Sequence, residues 1–133
     1  MKRRPKRPHK KSIGAAAVEF GLVLPLLMLL ILGGLDWGYY FFVTQLTTNA
    51  AREGARAGSL EPSDDYAASA AARSTDENFL TGGGLDGMAA TVNIDFPGNA
   101  VRVEVRYPAG SLTGFTEVIV PGTARARAEM RRF

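Results

Sequence analysis

From Ala15 to Leu35, 21 consecutive residues carry a single ionisable side chain, Glu19. A helix of that length, at about 1.5 Å per residue, reaches roughly 31 Å, the thickness of a bilayer's hydrocarbon core. Seven of the first eleven residues are basic (Lys2, Arg3, Arg4, Lys6, Arg7, Lys10 and Lys11), whereas Asp36 and a mostly neutral aromatic stretch follow the run. That asymmetry predicts a tail held in the cytoplasm and a C-terminal region exported across the membrane. Trp37, Tyr39, Tyr40, Phe41 and Phe42 lie just past the run. Amphipathic rings favour the membrane-water boundary, so this cluster marks its outer edge.

A cleavable secretory signal also begins basic and continues apolar, but its apolar region is only about 7 to 15 residues long, with small residues at the cut site after it. Here the small cluster Gly14 to Ala17 precedes the run. Cutting there leaves the apolar helix on the mature chain. A twin-arginine signal fits no better, because Arg3-Arg4 are followed by Pro5 and further basic residues.

The basic leader, Gly14, and Glu19-Phe20 at the fifth and sixth places after it resemble a type IV prepilin processing site. Glu followed by an aromatic resembles the tight-adherence branch. Phe20-Gly-Leu-Val-Leu-Pro-Leu-Leu-Met-Leu-Leu, Asp36-Trp37-Gly38 and Asn49-Ala50-Ala51-Arg52-Glu53-Gly54-Ala55-Arg56 are similar to the TadE-like family of pilin-like membrane proteins. The resemblance covers residues 13 to 58. It implies a precursor cut between Gly14 and Ala15 by a membrane-embedded prepilin peptidase, so the chain is a substrate rather than an enzyme. It further implies a minor pilin or pseudopilin whose partners are the membrane, the pilus assembly platform and other pilins or pseudopilins. Removing residues 1–14 would discard seven positive charges and create an amine at Ala15, with an ordinary pKa of about 7.7 to 8.0.

Glu19 is about 6 Å along the helix from Ala15, shallow enough for its carboxylate to reach the cytoplasmic headgroups. The resemblance implies a second role, pairing with the Ala15 amine of the processed chain or of a neighbouring subunit. Pro25 removes a backbone hydrogen bond mid-span and predicts a kink, though membrane helices also tolerate proline without a special role. Small residues recur at four-residue spacing, Ala17 with Gly21, Gly34 with Gly38, and Gly54 with Gly58. Such pairs allow helices to approach closely.

Residues 39–57 contain no proline and place Phe42, Leu46, Ala50 and Gly54 at helical spacing, so the helix is expected to continue as a stem to about Ala57. Arg52, Glu53 and Arg56 read as a solvated face with local ion pairs. A second helix is expected with Ser63 as N-cap, Asp64 and Asp65 in its first turn, and an alanine-rich body to Phe79. Thr81 to Gly84 reads as a flexible loop without the lysine of a phosphate cradle. Val92, Ile94 and Phe96, then Val101, Val103, Val105 and Tyr107, alternate with polar residues around a Pro97-Gly98-Asn99 turn, and residues 123–131 supply a third alternating segment. Residues 109–121 fit a short helix, a strand or a membrane-surface loop.

The expected organisation is a basic leader over residues 1–14, a transmembrane and stem helix over 15–57, and an exported α+β domain over 58–133 with a small antiparallel sheet. From Asp36 onward there are nine arginines, no lysine and twelve acids, a balance of −3. The overall charge of +3 thus resides in the leader and does not argue for a nucleic-acid partner. With no cysteine, and a lone histidine in the tail, neither a zinc site nor a histidine-assisted nucleophile is expected. Asp64-Asp65 and Asp76-Glu77 suit helix starts and exposed surfaces. No catalytic residue and no cofactor are expected. The expected function is therefore assembly of a tight-adherence pilus by a single-pass cytoplasmic-membrane protein, possessing an external domain and destined for the cell-surface fibre. The alternatives are an uncleaved membrane protein with a ligand-binding or scaffolding domain, and a secretion-system pseudopilin.

Overall fold

The computed structural model describes residues 13–61 and 64–132. Most of the basic leader therefore lies outside the described residues, as does Ser63. Helix α1, Ile13–Ser59, carries the chain from the apolar run into the folded domain without interruption and includes Pro25. Its stem ends two residues beyond the expected Ala57, where Ser59 donates a side-chain hydrogen bond to the Arg56 carbonyl and Leu60 closes back on Ala57.

Helix α2, Asp65–Gly82, is capped by Asp64 rather than by Ser63, with the Asp64 carboxylate accepting from the Tyr66 amide at 2.8 Å. Extended backbone at Asp64 aims its side chain at the orphan amides of the first turn. The glycine run is also different from expectation: Thr81 and Gly82 complete α2, while Gly83 and Gly84 cap it. Gly84 adopts φ +86°, a conformation other side chains rarely take, and Leu85 donates back to the Leu80 carbonyl. A cap that satisfies the last carbonyls replaces the expected flexible loop.

After a short 3-10 turn over Gly87–Ala89 come three strands, β1 (Thr91–Asp95), β2 (Ala100–Pro108) and β3 (Thr123–Arg131). They form one antiparallel sheet in the order β1-β2-β3, so the architecture is α+β, as the alternating segments predict. Ile94 pairs with Val103, which in turn pairs with Ala128, and Val105 lies between Val92 and Ala126. This register puts every valine of β2 on one face, where Val101, Val103 and Val105 are fully buried. Each such side chain stabilises the fold by about 1.5–3 kcal/mol relative to exposure. Small alanines of β3 lie beside them, and α1 packs on both strands.

The buried arc of α1 comprises Val43, Thr47, Ala50, Ala51, Gly54, Ala55 and Gly58. Ala50 and Gly54 lie on the expected face, Leu46 is half-buried against the core, and Phe42 is turned outward at 48% exposure. The face is wider and rotated from the expected stripe because α1 contacts α2 as well as the sheet. Opposite Gly54 and Gly58, α2 presents Ala68, Ala72 and Asp76, residues spaced four apart along one side.

Candidate functional site

The processing end of α1 is open. Gly14, Ala15, Ala17, Glu19 and Phe20 are all exposed, and Gly14 has no neighbour within 4 Å of where a Cβ would stand. The Gly14-Ala15 bond lies in the first turn of the helix, where amides lack intrahelical partners. Ala15 and Glu19 are four residues apart and therefore share a helix face. None of the most apolar window of α1 is buried by the rest of the chain. One helix among the described residues is thus long and apolar enough to cross a membrane, which fits a single-pass membrane protein.

The three small-residue pairs fall in different surroundings. Gly54 and Gly58 pack inside this chain: a Cβ on Gly54 would collide with the Asp76 carboxylate, and one on Gly58 would meet the Ala68 carbonyl oxygen at 3.1 Å. Gly21, Gly34 and Gly38 have nothing within 4 Å, and Ala17 is exposed. Small residues at 17 and 21, and at 34 and 38, leave two unfilled patches on the free part of the helix.

A feature the sequence did not announce is a carboxylate clamp at the end of the apolar run. Asp36 is fully buried. Its carboxylate accepts hydrogen bonds from Ser111 Oγ at 2.6 Å, from Thr113 Oγ1 at 2.7 Å, from the Thr113 amide at 2.8 Å, and from Thr116 Oγ1. All four donors belong to the long connection between β2 and β3, 75 to 80 residues away in sequence. The connection is ordered by its own side chains too: Gly114 donates to Ser111 Oγ, Phe115 to Thr113 Oγ1, and both Ile119 and Val120 to the Thr116 carbonyl. Gly114 adopts φ +73° to make the turn. Ala109 and Gly122 join at the neck, so residues 109–122 form a closed loop of the Ω type.

Residues 14–56 match the family described as TadE-like protein. The stem is TadE-like. No curated protein and no solved structure matches the chain. The TadE-like segment covers about a third of the sequence and includes Asp36, whereas the loop donors that hold Asp36 lie beyond it. It also contains Gly14, Glu19, Phe20, Pro25 and both free small-residue pairs on the span.

A second buried acid departs from expectation. Asp76, expected on an exposed surface beside Glu77, is fully buried against the TadE-like stem at Gly54, with neither carboxylate oxygen hydrogen-bonded. Burial disfavours its charged form and neighbouring Glu77 adds repulsion, which outweigh attraction from Arg73 and push its pKa up to about 7. Opposite neighbours therefore separate the two buried aspartates: four donors surround Asp36, and a glycine backbone faces Asp76. Among the described residues no three potential metal ligands gather.

The spacing of Ser111, Thr113 and Thr116 in a segment whose only charge is Glu117 was the available clue to the clamp, together with an acid placed flush against the aromatic cluster. Arg52, Glu53 and Arg56 are exposed, with Glu53 and Arg56 in a loose pair at 3.7 Å.

Proposed function

We propose that this chain is a minor pilin or pseudopilin of a tight-adherence pilus, cut after Gly14 by a prepilin peptidase and acting by contact rather than by catalysis. The observation that carries this reading is the TadE-like match over residues 14–56, which opens at Gly14 and includes Glu19. An uncovered apolar helix supports it, because such a surface requires lipid or other helices around it. The peptidase, the membrane platform of the assembly machine and other pilins are the partners this function requires.

In this reading the processed chain begins at Ala15, and its new amine stands one helical turn from Glu19, on the same face. In a low-dielectric setting each charge offsets the desolvation of the other, whether the pair forms within one subunit or between two. Gly21, Gly34 and Gly38 then allow neighbouring helices to come close in the assembled state. The external domain stays outside the cytoplasmic membrane, consistent with the basic leader held inside.

The deciding experiment is mass spectrometry of the mature N-terminus from the membrane fraction, with Gly14→Arg alongside. A native chain beginning at Ala15, with cleavage lost in the variant, is the expected result. A native chain that retains Met1 or Lys2 would overturn processing and leave a permanently anchored envelope protein. Recovery of the processed chain in sheared surface fibres distinguishes a pilus subunit from a secretion pseudopilin that stays in the membrane.

A further inference from the structure

We infer that the loop over residues 109–122 is a second membrane contact, an apolar wedge set into the lipid leaflet at the C-terminal end of the span. The inference rests on the reading of α1 as a membrane span, and goes beyond it by assigning an occupant to a surface far away in sequence.

The geometry begins at Asp36. Because the clamp ties Ser111, Thr113 and Thr116 to that residue, the rest of the loop must lie beside the helix near its membrane exit. It turns back along the apolar run rather than away from it. Phe115 and Ile119 share an open crevice of about 300 Å3 with Leu29, Leu30, Gly33 and Trp37. Leu29 precedes Asp36 by seven residues, about 10 Å along the helix axis. The loop tip thus stands level with the last two turns of the 21-residue apolar run.

That position identifies the occupant. Leu29 and Leu30 are 49% and 64% exposed in this chain, and a bilayer that covers them also meets the loop packed against them. The loop's outer surface has the chemistry for it: Leu112, Phe115, Val118 and Ile119 are all exposed, Val118 at 98%. The aromatic residues Trp37 and Phe41 continue the same apolar surface on the helix side. Lipid offers no hydrogen bonds to a backbone, which excludes most irregular segments from it. This loop already spends its hydroxyls and the Thr113 amide on Asp36, and pairs the amides of Gly114, Phe115, Ile119 and Val120 within itself.

Charge sets the depth and the driving force. Glu117 is the only ionisable residue between Ala109 and Pro121, and it is exposed beside Val118. A carboxylate there must reach the headgroups, so the wedge is interfacial and shallow. With an acidic rather than basic residue at the tip, anionic lipid does not attract it. Apolar burial is the driving force, so phosphatidylglycerol should weaken the contact through repulsion of Glu117 rather than strengthen it, and salt should lessen that repulsion.

The full chain has no cysteine, so single reporters can be introduced without background. Leu24→Cys, Phe115→Cys, Val118→Cys and Arg127→Cys would each carry an environment-sensitive fluorophore in phosphatidylcholine vesicles at low protein density. Quenching would be compared between aqueous iodide and lipids bearing a nitroxide near the headgroup or near the acyl terminus. The expected result is Leu24 quenched best by the deep nitroxide, Phe115 and Val118 by the shallow one, and Arg127 by iodide. Iodide quenching at Val118 should be several-fold weaker than at Arg127. Iodide access at Val118 equal to Arg127, with Leu24 still deep, would overturn the wedge while sparing the span. Loss of lipid quenching at Leu24 would overturn both. Shielding at Val118 that disappears on dilution of protein in lipid would identify a second copy as the occupant and overturn the lipid assignment.

Discussion

Asp36 is a carboxylate surrounded by donors, and removing it would strand them. Asp36→Ala leaves three hydroxyls and the Thr113 amide without their acceptor. Unpaired polar groups cost about 1–3 kcal/mol each when they stay buried. The expected outcome is release of residues 109–122, read as faster hydrogen-deuterium exchange of that loop in the full chain, while the β2-β3 ladder stays protected. Asp76 has the opposite problem, since nothing donates to it. Its carboxyl titrates near 3.8 in an unfolded chain and about 7 in the fold, so across that interval the folded state holds the extra proton. The contribution of Asp76 to stability is therefore greatest below about pH 4, falls as pH rises through the interval, and levels off above about 7, a change on the order of a few kcal/mol. Asp76→Asn should flatten most of that slope in thermal unfolding of the full chain between pH 4 and pH 8. A slope unchanged in the variant would assign the pH dependence to other groups.

Elements were legible wherever one period governed them. β1, β2 and β3 each bury one face, so alternation marked Val101, Val103 and Val105 as core and 123–131 as a strand. The length of α1 followed from an apolar run continued by a proline-free stretch over residues 39–57 with apolar and small residues at helical spacing. Its buried face was less legible, because two partners widen a stripe that a single partner would keep narrow, and Phe42 was turned outward as a result. The order of 109–122 could not be read from its own residues, since it depends on Asp36 across most of the chain. Asp76 was missed for a related reason: a carboxylate inside a helix interface contradicts the general rule for acids. Gly54 makes room for it. Gly54→Ala places a methyl where Asp76 already stands and should lower stability by about 1–3 kcal/mol, measured by denaturation in detergent. Gly34→Ala, with open space around it, should stay within about 0.5 kcal/mol in the isolated subunit.

At the scale of the whole molecule, the external domain has no core without the stem. Val43, Ala50, Ala51 and Ala55 of α1 belong to the same buried cluster as Val101, Val103 and Val105. A fragment beginning at residue 58 exposes one face of a three-stranded sheet and one side of α2. Such a fragment should lack cooperative unfolding and dispersed amide resonances, whereas one beginning at Gly38 should recover both. The C-terminal end is held as well, with Arg132 stacked 4.4 Å over Phe96 and paired with Asp65 at the start of α2. Between Leu26 and Ser59 the helix contains no proline, so membrane and domain are joined by a shaft rather than a tether. Each residue added to that shaft between the bilayer and Val43 would turn the domain by about 100° and raise it by about 1.5 Å. The angle at which the sheet faces its surroundings is consequently written in the residue count of the helix, and insertion of one alanine between Asp36 and Val43 would pull residues 109–122 out of register with the carboxylate that holds them.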